Sequence, residues 1–254
     1  MKTDIPDTTG TAETLDRICG VLEIYQARGG YRFGVETLLL AGFIDRPARR
    51  LVDLGTGSGV LPLVLVRFGK AERAVGVELQ PALADRARRS VAHNGLDERI
   101  SILEADLRRL DDLLPPASFD LVVSNPPHMP PGEGQVSPNR ERALARSELS
   151  CRLDDVVAAA RRLLAGGERF LTIYPAARLA EVLQACERQQ LYPARLRLVH
   201  GRAELPARHF LLECRRGSRR QLQVEPPLLV YGADGGYSDE VQGYLYPGGC
   251  AGGD

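Results

Sequence analysis

Apolar residues in this chain fall into two rhythms, and the rhythm predicts the elements. Leu51 to Leu54 is a near-continuous apolar run that stops at a glycine, and Ala74 to Leu79 (AVGVEL), Arg99 to Leu103 and Phe119 to Ser124 (FDLVVS) repeat the pattern. Between them Val60 to Phe68 and Pro81 to Asn94 read as helices, the second opened by a proline and closed by Asn94-Gly95. Short apolar strands separated by helices predict a parallel sheet covered on both faces. Further on, Ser150 to Ala165 predicts a helix ending at Gly166-Gly167, Glu168 to Tyr174 a fifth strand, and Pro175 to Gln189 another helix. Leu191 to His200 and Ala207 to Arg215 follow with no helix between them, which predicts an antiparallel hairpin, and Leu228 to Tyr231 offers a last short strand. The expected architecture is α/β and Rossmann-like: a mainly parallel seven-stranded sheet with an antiparallel C-terminal hairpin and helices on both faces.

The flanks carry weaker patterns. Residues 1–14, rich in Thr and Asp, are expected to be disordered, residues 15–246 to form a single domain, and residues 247–254 to be a flexible tail. Gln26 to Phe43 (QARGGYRFGVETLLLAGF) predicts an aromatic turn with Tyr31 and Phe33, then a helix that turns Leu38, Leu39, Leu40 and Phe43 inward. Met129 to Arg142, rich in Pro and Gly, predicts a long lid or substrate loop.

Composition narrows the class. A hydrophobic content of 44% suits a globular protein, and no apolar run approaches the ~20 residues of a membrane span. The polar start lacks a basic-then-apolar signal pattern, so a cytoplasmic protein is expected, taken as a monomer. Five cysteines (Cys19, Cys151, Cys186, Cys214, Cys250) have no CxxC spacing, so neither a zinc site nor a disulfide framework is indicated. The 33 basic and 33 acidic residues cancel, yet Arg188, Arg195, Arg197, Arg202, Arg208, Arg215, Arg216, Arg219 and Arg220 cluster in one segment. Such clustering is a candidate phosphate-binding surface, placed on the hairpin beside the carboxyl edge of the sheet.

The candidate chemistry gathers at the strand ends. Gly55, Gly57 and Gly59 let the backbone turn sharply and approach a ligand, and the next helix presents its free amides there. The GxGxG spacing lacks the later glycine of the dinucleotide fingerprint, and Asp53 just before it can orient the turn or a cationic ligand end. Glu78 ends the second strand where a doubly wound sheet places the acid that accepts ribose hydroxyls, although an exposed strand-end acid is the plainer reading. Asp106 ends the third strand and either accepts an adenine amino group or caps the following turn. After the fourth strand, Asn125-Pro126-Pro127-His128 places a side-chain amide at the tip and freezes the backbone behind it. The Asn125 oxygen and the Pro126 carbonyl are two acceptors, matching the two N–H donors of an exocyclic amine, and His128 adds a flat face.

These residues resemble the class I S-adenosylmethionine-dependent methyltransferases, through VDLGTGSG, VGVEL and the NPPH tetrapeptide, which is similar to the NPPY of amino-methylating enzymes. GGYRFGVETLLLAGF, RALARSE (Arg142 to Glu148) and GGYSDEVQGYLY look, more narrowly, like the bacterial tRNA(Val) adenine-37 N6-methyltransferase family. That family usually ends the tetrapeptide in tyrosine, where this chain has the smaller, chargeable His128. The resemblance implies S-adenosyl-L-methionine as cofactor, held by Tyr31, Phe33, Asp53, Gly55, Thr56, Gly57, Gly59, Glu78, Leu79, Asp106, Leu107 and Asn125, with no metal. It implies methylation of an exocyclic amine, most simply adenine N6 in tRNA, at Asn125, Pro126, Pro127 and His128, with Arg140, Arg142, Arg146, Arg215, Arg216, Arg219 and Arg220 on RNA phosphates. The alternatives are methylation of a protein glutamine amide, whose enzymes usually carry an added N-terminal helical domain, a non-catalytic RNA-binding module on the same fold, and, remotely, a nicotinamide oxidoreductase.

Overall fold

A computed structural model describes residues 3–5, 13–30, 32–126 and 152–247 of the chain. The central strands are β4 (Ala48–Leu54), β5 (Ala71–Glu78), β6 (Ile100–Glu104), β7 (Phe119–Ser124) and β8 (Leu164–Pro175), with β9 (Leu191–His200) and β10 (Ala207–Arg216) as the late hairpin. They belong to a nine-stranded sheet in the order β11-β9-β10-β8-β7-β4-β5-β6, where β11 (Gln223–Val224) is one edge and β12 (Leu228–Leu229) also pairs with β9. The expected seven long strands are present, and two strands of two residues each extend them. Strands β4 to β8 pair in parallel, while β10 runs antiparallel to both β8 and β9. All the parallel strands therefore end at one edge.

Alternation within the strands divides the core into two layers. Leu51, Leu121, Val123, Leu171 and Ile173 face α1 (Val35–Phe43), α2 (Val60–Arg67) and α3 (Pro81–His93). Val52, Val122, Phe170 and Phe210 face α4 (Leu153–Leu163) and α5 (Leu179–Arg188) on the other side. Each fully buried aliphatic side chain contributes about 1.5–3 kcal/mol, so two such layers dominate any surface ion pair. The helix expected to stop at Gly166-Gly167 stops earlier, because Leu163 and Leu164 are both fully buried and the chain passes from α4 directly into β8.

The N-terminal expectation is corrected. Glu13 and Thr14, assigned above to a disordered segment, lie in strand β2 (Glu13–Ile18), which pairs with β3 (Leu22–Ala27) and with β1 (Thr3–Ile5). Ile18, Leu22 and Ile24 sink into the core beside α3, and buried Glu13 accepts hydrogen bonds from Arg86 and Arg89 at 2.9 Å. Burial pushes the Glu13 carboxyl up, but the two guanidiniums outweigh it and hold it below the usual range. Ser90 on α3 and Asn94 at its C-terminal cap bond the β3 backbone at Tyr25 and Glu23, which fixes this hairpin as a cover on one face.

A second unexpected element is α6 (Asp239–Leu245), capped by the Ser238 hydroxyl on the Val241 amide. Among the described residues no helix is long and apolar enough to cross a membrane, and no cluster of His, Cys, Asp and Glu is set to hold a metal ion. Cys19, Cys186 and Cys214 are buried free thiols.

Candidate active site at the carboxyl edge of the sheet

The glycine turn is built by strand pairing. The Gly55 and Thr56 amides both donate to the Val77 carbonyl at 2.9 Å, so the turn hangs on the tip of β5. Gly55, Gly57 and Gly59 have φ of 78°, 58° and 78°, left-handed values that a side chain would strain. Glu78 closes the arrangement: its Oε2 accepts from the Gly57 amide at 2.8 Å and its Oε1 from Gln80 at 2.9 Å. This buried carboxylate thus orients the turn as well as marking the strand tip, which removes the plainer reading of an exposed acid.

Asp53 sits behind the turn at 2% exposure. Its carboxyl is pushed up to about 7, first by burial and also by the charge of Glu78, while the neighbouring Thr56 hydroxyl works the other way. A small cavity joins Asp53, Gly55, Thr56, Ser58, Phe33, Thr37 and Asn125. The Thr56 and Ser58 hydroxyls and Asn125 Oδ1 are buried there with no hydrogen-bond partner among the described residues. Buried polar atoms are nearly always satisfied, so three orphans lining one cavity mark a place where a polar ligand completes the structure.

Asn125 is aimed rather than merely present. Its Nδ2 donates to Thr37 Oγ1 of α1 at 3.1 Å, which leaves Oδ1 as the acceptor for something else. Beneath it the Ser124 hydroxyl donates to the Leu54 carbonyl at 2.7 Å and the Thr172 hydroxyl to the Ser124 carbonyl at 2.8 Å, locking the tips of β4, β7 and β8 together. Pro126 follows, buried.

For S-adenosylmethionine the donor set fits. The glycine amides and the α2 N-terminus would receive the amino-acid end, Glu78 at the tip of β5 would accept the ribose hydroxyls, and the buried Ser58 hydroxyl lacks the polar partner that such a ligand would bring.

Several expected residues are placed differently or lie elsewhere. Asp106 is taken up by its own turn: Arg108 bonds both carboxylate oxygens and its amide donates to Oδ1 at 2.9 Å, which holds the carboxyl below the usual range. The capping alternative describes its side chain. Leu107 packs toward the α4 layer, and Leu79 is 42% exposed beyond the strand tip. Tyr31, Pro127, His128, Arg140, Arg142 and Arg146 lie outside the described residues.

The arginines of the late hairpin correct a placement. Because β10 runs antiparallel, Arg215 pairs opposite Arg169 at the amino edge of the sheet, away from the site. Arg215 is 7% exposed and 2.9 Å from Glu213, Arg216 is bonded to the Leu164 carbonyl, and Arg219 lies over the Tyr192 ring at 4.5 Å. Arg220 follows in the same loop. A surface beside the carboxyl edge is not what these four make.

Sequence reasoning missed Thr37, Ser58, Ser124 and Thr172. Each had a faint signal, a lone hydroxyl in an apolar or glycine-rich run, which is unexpected unless something bonds it.

The family described as "Methyltransferase domain" matches residues 51–147, which include the glycine turn, Glu78 and Asn125. A protein from Aeromonas hydrophila named tRNA1(Val) (adenine(37)-N6)-methyltransferase is 32% identical over 214 residues, covering 84% of this chain and 87% of the relative. A protein of the same name from Porphyromonas gingivalis is 31% identical over 187 residues, covering 71% and 70%. The crystal structure of a predicted O-methyltransferase from Agrobacterium tumefaciens superposes with a TM-score of 0.66 at 25% identity, covering 83% of this chain and 95% of that one.

Proposed function

Since the chain belongs to the S-adenosylmethionine-dependent methyltransferases, in the family of the tRNA1(Val) (adenine(37)-N6)-methyltransferases, we propose that it methylates an exocyclic amine and that this amine is adenine N6 in tRNA. The observation that carries the reading is the orphaned Asn125 Oδ1, held by Thr37 above the glycine turn and followed by the Pro126 carbonyl. An aromatic amine has a lone pair delocalised into its ring. Two acceptors on its two N–H groups draw the nitrogen toward tetrahedral geometry and free that lone pair. An oxygen nucleophile brings at most one hydrogen, so it leaves one of the two acceptors unpaired, which favours nitrogen over the oxygen named for the Agrobacterium neighbour.

When bound, S-adenosylmethionine supplies an electrophilic methyl group. Asn125 and Pro126 orient the amine, and as its nitrogen gains positive charge their hydrogen bonds strengthen, which is transition-state rather than ground-state binding. Glu78 and the turn hold the cofactor end still, so that proximity supplies much of the rate. The base leaves its stack to reach this edge, as enzymes acting on base atoms require.

The test is transfer of labelled methyl to total tRNA and to total protein, with nucleoside mass spectrometry of the RNA. N6-methyladenosine in tRNA is expected. Asn125→Ala should lower kcat by roughly 10²–10³-fold with cofactor affinity nearly unchanged, the pattern of a lost transition-state contact. Label confined to the protein fraction would replace adenine by a glutamine amide, which offers the same two N–H groups.

A further inference from the structure

The start of α1, with Phe33 just before it, is a wall with two sides. Phe33 and Thr37 face the cavity that holds Asn125, whereas Val35, Glu36 and Leu39 face a second, larger cavity of about 350 Å3. That volume lies in the range of about 300–1,000 Å3 typical of small-molecule sites. Its apolar lining includes Val199 and Val230, and its mouth carries Arg202, Arg208 and Tyr231.

Its charges separate it from the rest of the hairpin. Arg188, Arg195, Arg197 and Arg215 are ion-paired, and Arg216 is bonded to backbone. The Arg202 and Arg208 side chains make no ion pair or hydrogen bond among the described residues, and both are exposed. Arg208 is also the extra residue of a β-bulge: Ala207 and His209 pair with the consecutive His200 and Val199, so Arg208 is pushed out of the ladder at the carboxyl edge. Bulges commonly re-aim a side chain beside a functional site. Tyr231 stacks on Tyr237 with centroids 5.6 Å apart and planes 11° from parallel, and the two rings are 42% and 38% exposed. An exposed, pre-stacked aromatic pair is the platform on which an unpaired base adds a further layer, and such stacking is sequence-tolerant. Glu36, which also lines the cavity, is an acceptor for a base N–H.

We infer that this second cavity is a nucleotide subsite, which takes a base of the single-stranded RNA flanking the target, stacked at Tyr231, with its phosphate between Arg202 and Arg208. Two adjacent nucleotides would then be splayed to either side of the α1 turn, so that seating the neighbour presents the target amine to Asn125. The inference rests on the reading of the substrate as RNA, and it supplies what the Asn125 pocket lacks, a means of gripping the strand.

The probe is hexauridylate, which has no adenine to methylate and so reads the second cavity apart from the first. Fluorescence anisotropy of the full chain across a salt series is compared for the parent, Arg202→Ser with Arg208→Ser, Gly201→Leu, and Arg219→Ser with Arg220→Ser, with cofactor binding as the check on folding. A Cβ at Gly201 would meet only Leu205 Cδ1, at 3.8 Å, so leucine there narrows the cavity without removing a charge or clashing with the backbone. The Arg202/Arg208 variant should weaken binding at least tenfold and flatten the salt slope by roughly 0.7 per lost contact. Gly201→Leu should weaken binding while keeping the slope, and the Arg219/Arg220 variant should match the parent. Hexauridylate that is not bound by the parent, or that is bound equally by all four proteins, overturns the subsite. Hexauridylate bound as described while adenine-containing RNA takes no label overturns the adenine reading and leaves the subsite standing.

Discussion

Asp53 is the residue whose chemistry most needs a ligand. Two carboxyls, Asp53 and Glu78, sit behind one turn with little water, and the result is an Asp53 pushed up to about 7. Because this folded value lies above the ordinary 3.8, the contribution of Asp53 to stability is full below 3.8 and is lost as pH rises toward 7. A cationic amino-acid end has the opposite preference, since it is attracted by the ionised carboxylate. Cofactor affinity should therefore climb with pH by up to about tenfold per unit below pH 7 and level off above it. Calorimetry through that window checks the slope. Asp53→Asn should flatten it, and a parent protein with no slope would leave Asp53 as a support for the turn only. At this scale much of the site was legible: Asp53, Glu78 and Asn125 each end or closely follow an apolar run, and position at a strand tip is local information. Thr37 was not legible, because what defines it is a hydrogen bond to a residue 88 positions away.

Among the elements, the nine-residue α1 borders both cavities, and its surroundings explain how it stays in place. Lys70 donates to the carbonyls of Ala41, Gly42 and Ile44 at 2.7–3.2 Å, satisfying the end of the helix with a cation at its negative pole. On its outer side α6 packs against α1 through Tyr244, whose ring lies 2.3 Å from where a Cβ on Gly42 would stand. Arg197 and Glu240 bracket the Tyr244 hydroxyl and anchor α6 to β9. The segments AGF and GGYSDEVQGYLY, distant in sequence, are thus one contact. Gly42→Ala would drive a methyl into an aromatic ring and should destabilise by about 1–3 kcal/mol, read by denaturant titration. Because α1 also holds Thr37, kcat should fall in the same variant, and an alanine that left both unchanged would show that the two helices do not need this contact. That a glycine lacks a Cβ is visible in a sequence, but what fills the space of that Cβ is not. Similarly β2 and β3 escaped notice because Leu22 and Ile24 alternate only briefly, and their burial is decided by α3 far along the chain.

Across the whole molecule the two edges of the sheet divide the work. The amino edge is where charge is neutralised: Glu213, 3% exposed, receives Arg215 at 2.9 Å, Arg195 at 3.1 Å and Arg46 at 3.7 Å, and Arg195 also meets Glu225 at 3.0 Å. Asp45 joins them through Arg169 at 3.2 Å. At the carboxyl edge unsatisfied groups face cavities, with Asn125 Oδ1 and the Ser58 hydroxyl lining one and Arg202 and Arg208 lining the other, whereas the Nε atoms of Arg195 and Arg215 at the amino edge, partnerless among the described residues, are buried inside the ion-pair network. A run of arginines in the sequence does not say which are which, because the sorting depends on antiparallel register. One residue along β10 from Glu213 points to the other face, and the length of the strand carries a side chain from one edge to the other. The division predicts opposite phenotypes for outwardly similar changes. Glu213→Ala would leave buried guanidiniums without their shared carboxylate and should cost about 3–5 kcal/mol in denaturant titrations, with cofactor affinity unchanged. Arg215→Ser with Arg216→Ser should likewise lower the denaturation midpoint and keep the salt dependence of RNA binding, since Arg215 is buried against Glu213 and Arg216 is held on the Leu164 carbonyl at the amino edge. If instead that pair left stability intact and flattened the salt slope, the amino edge would be an RNA surface after all, and the strand would have to reach both ends of the sheet.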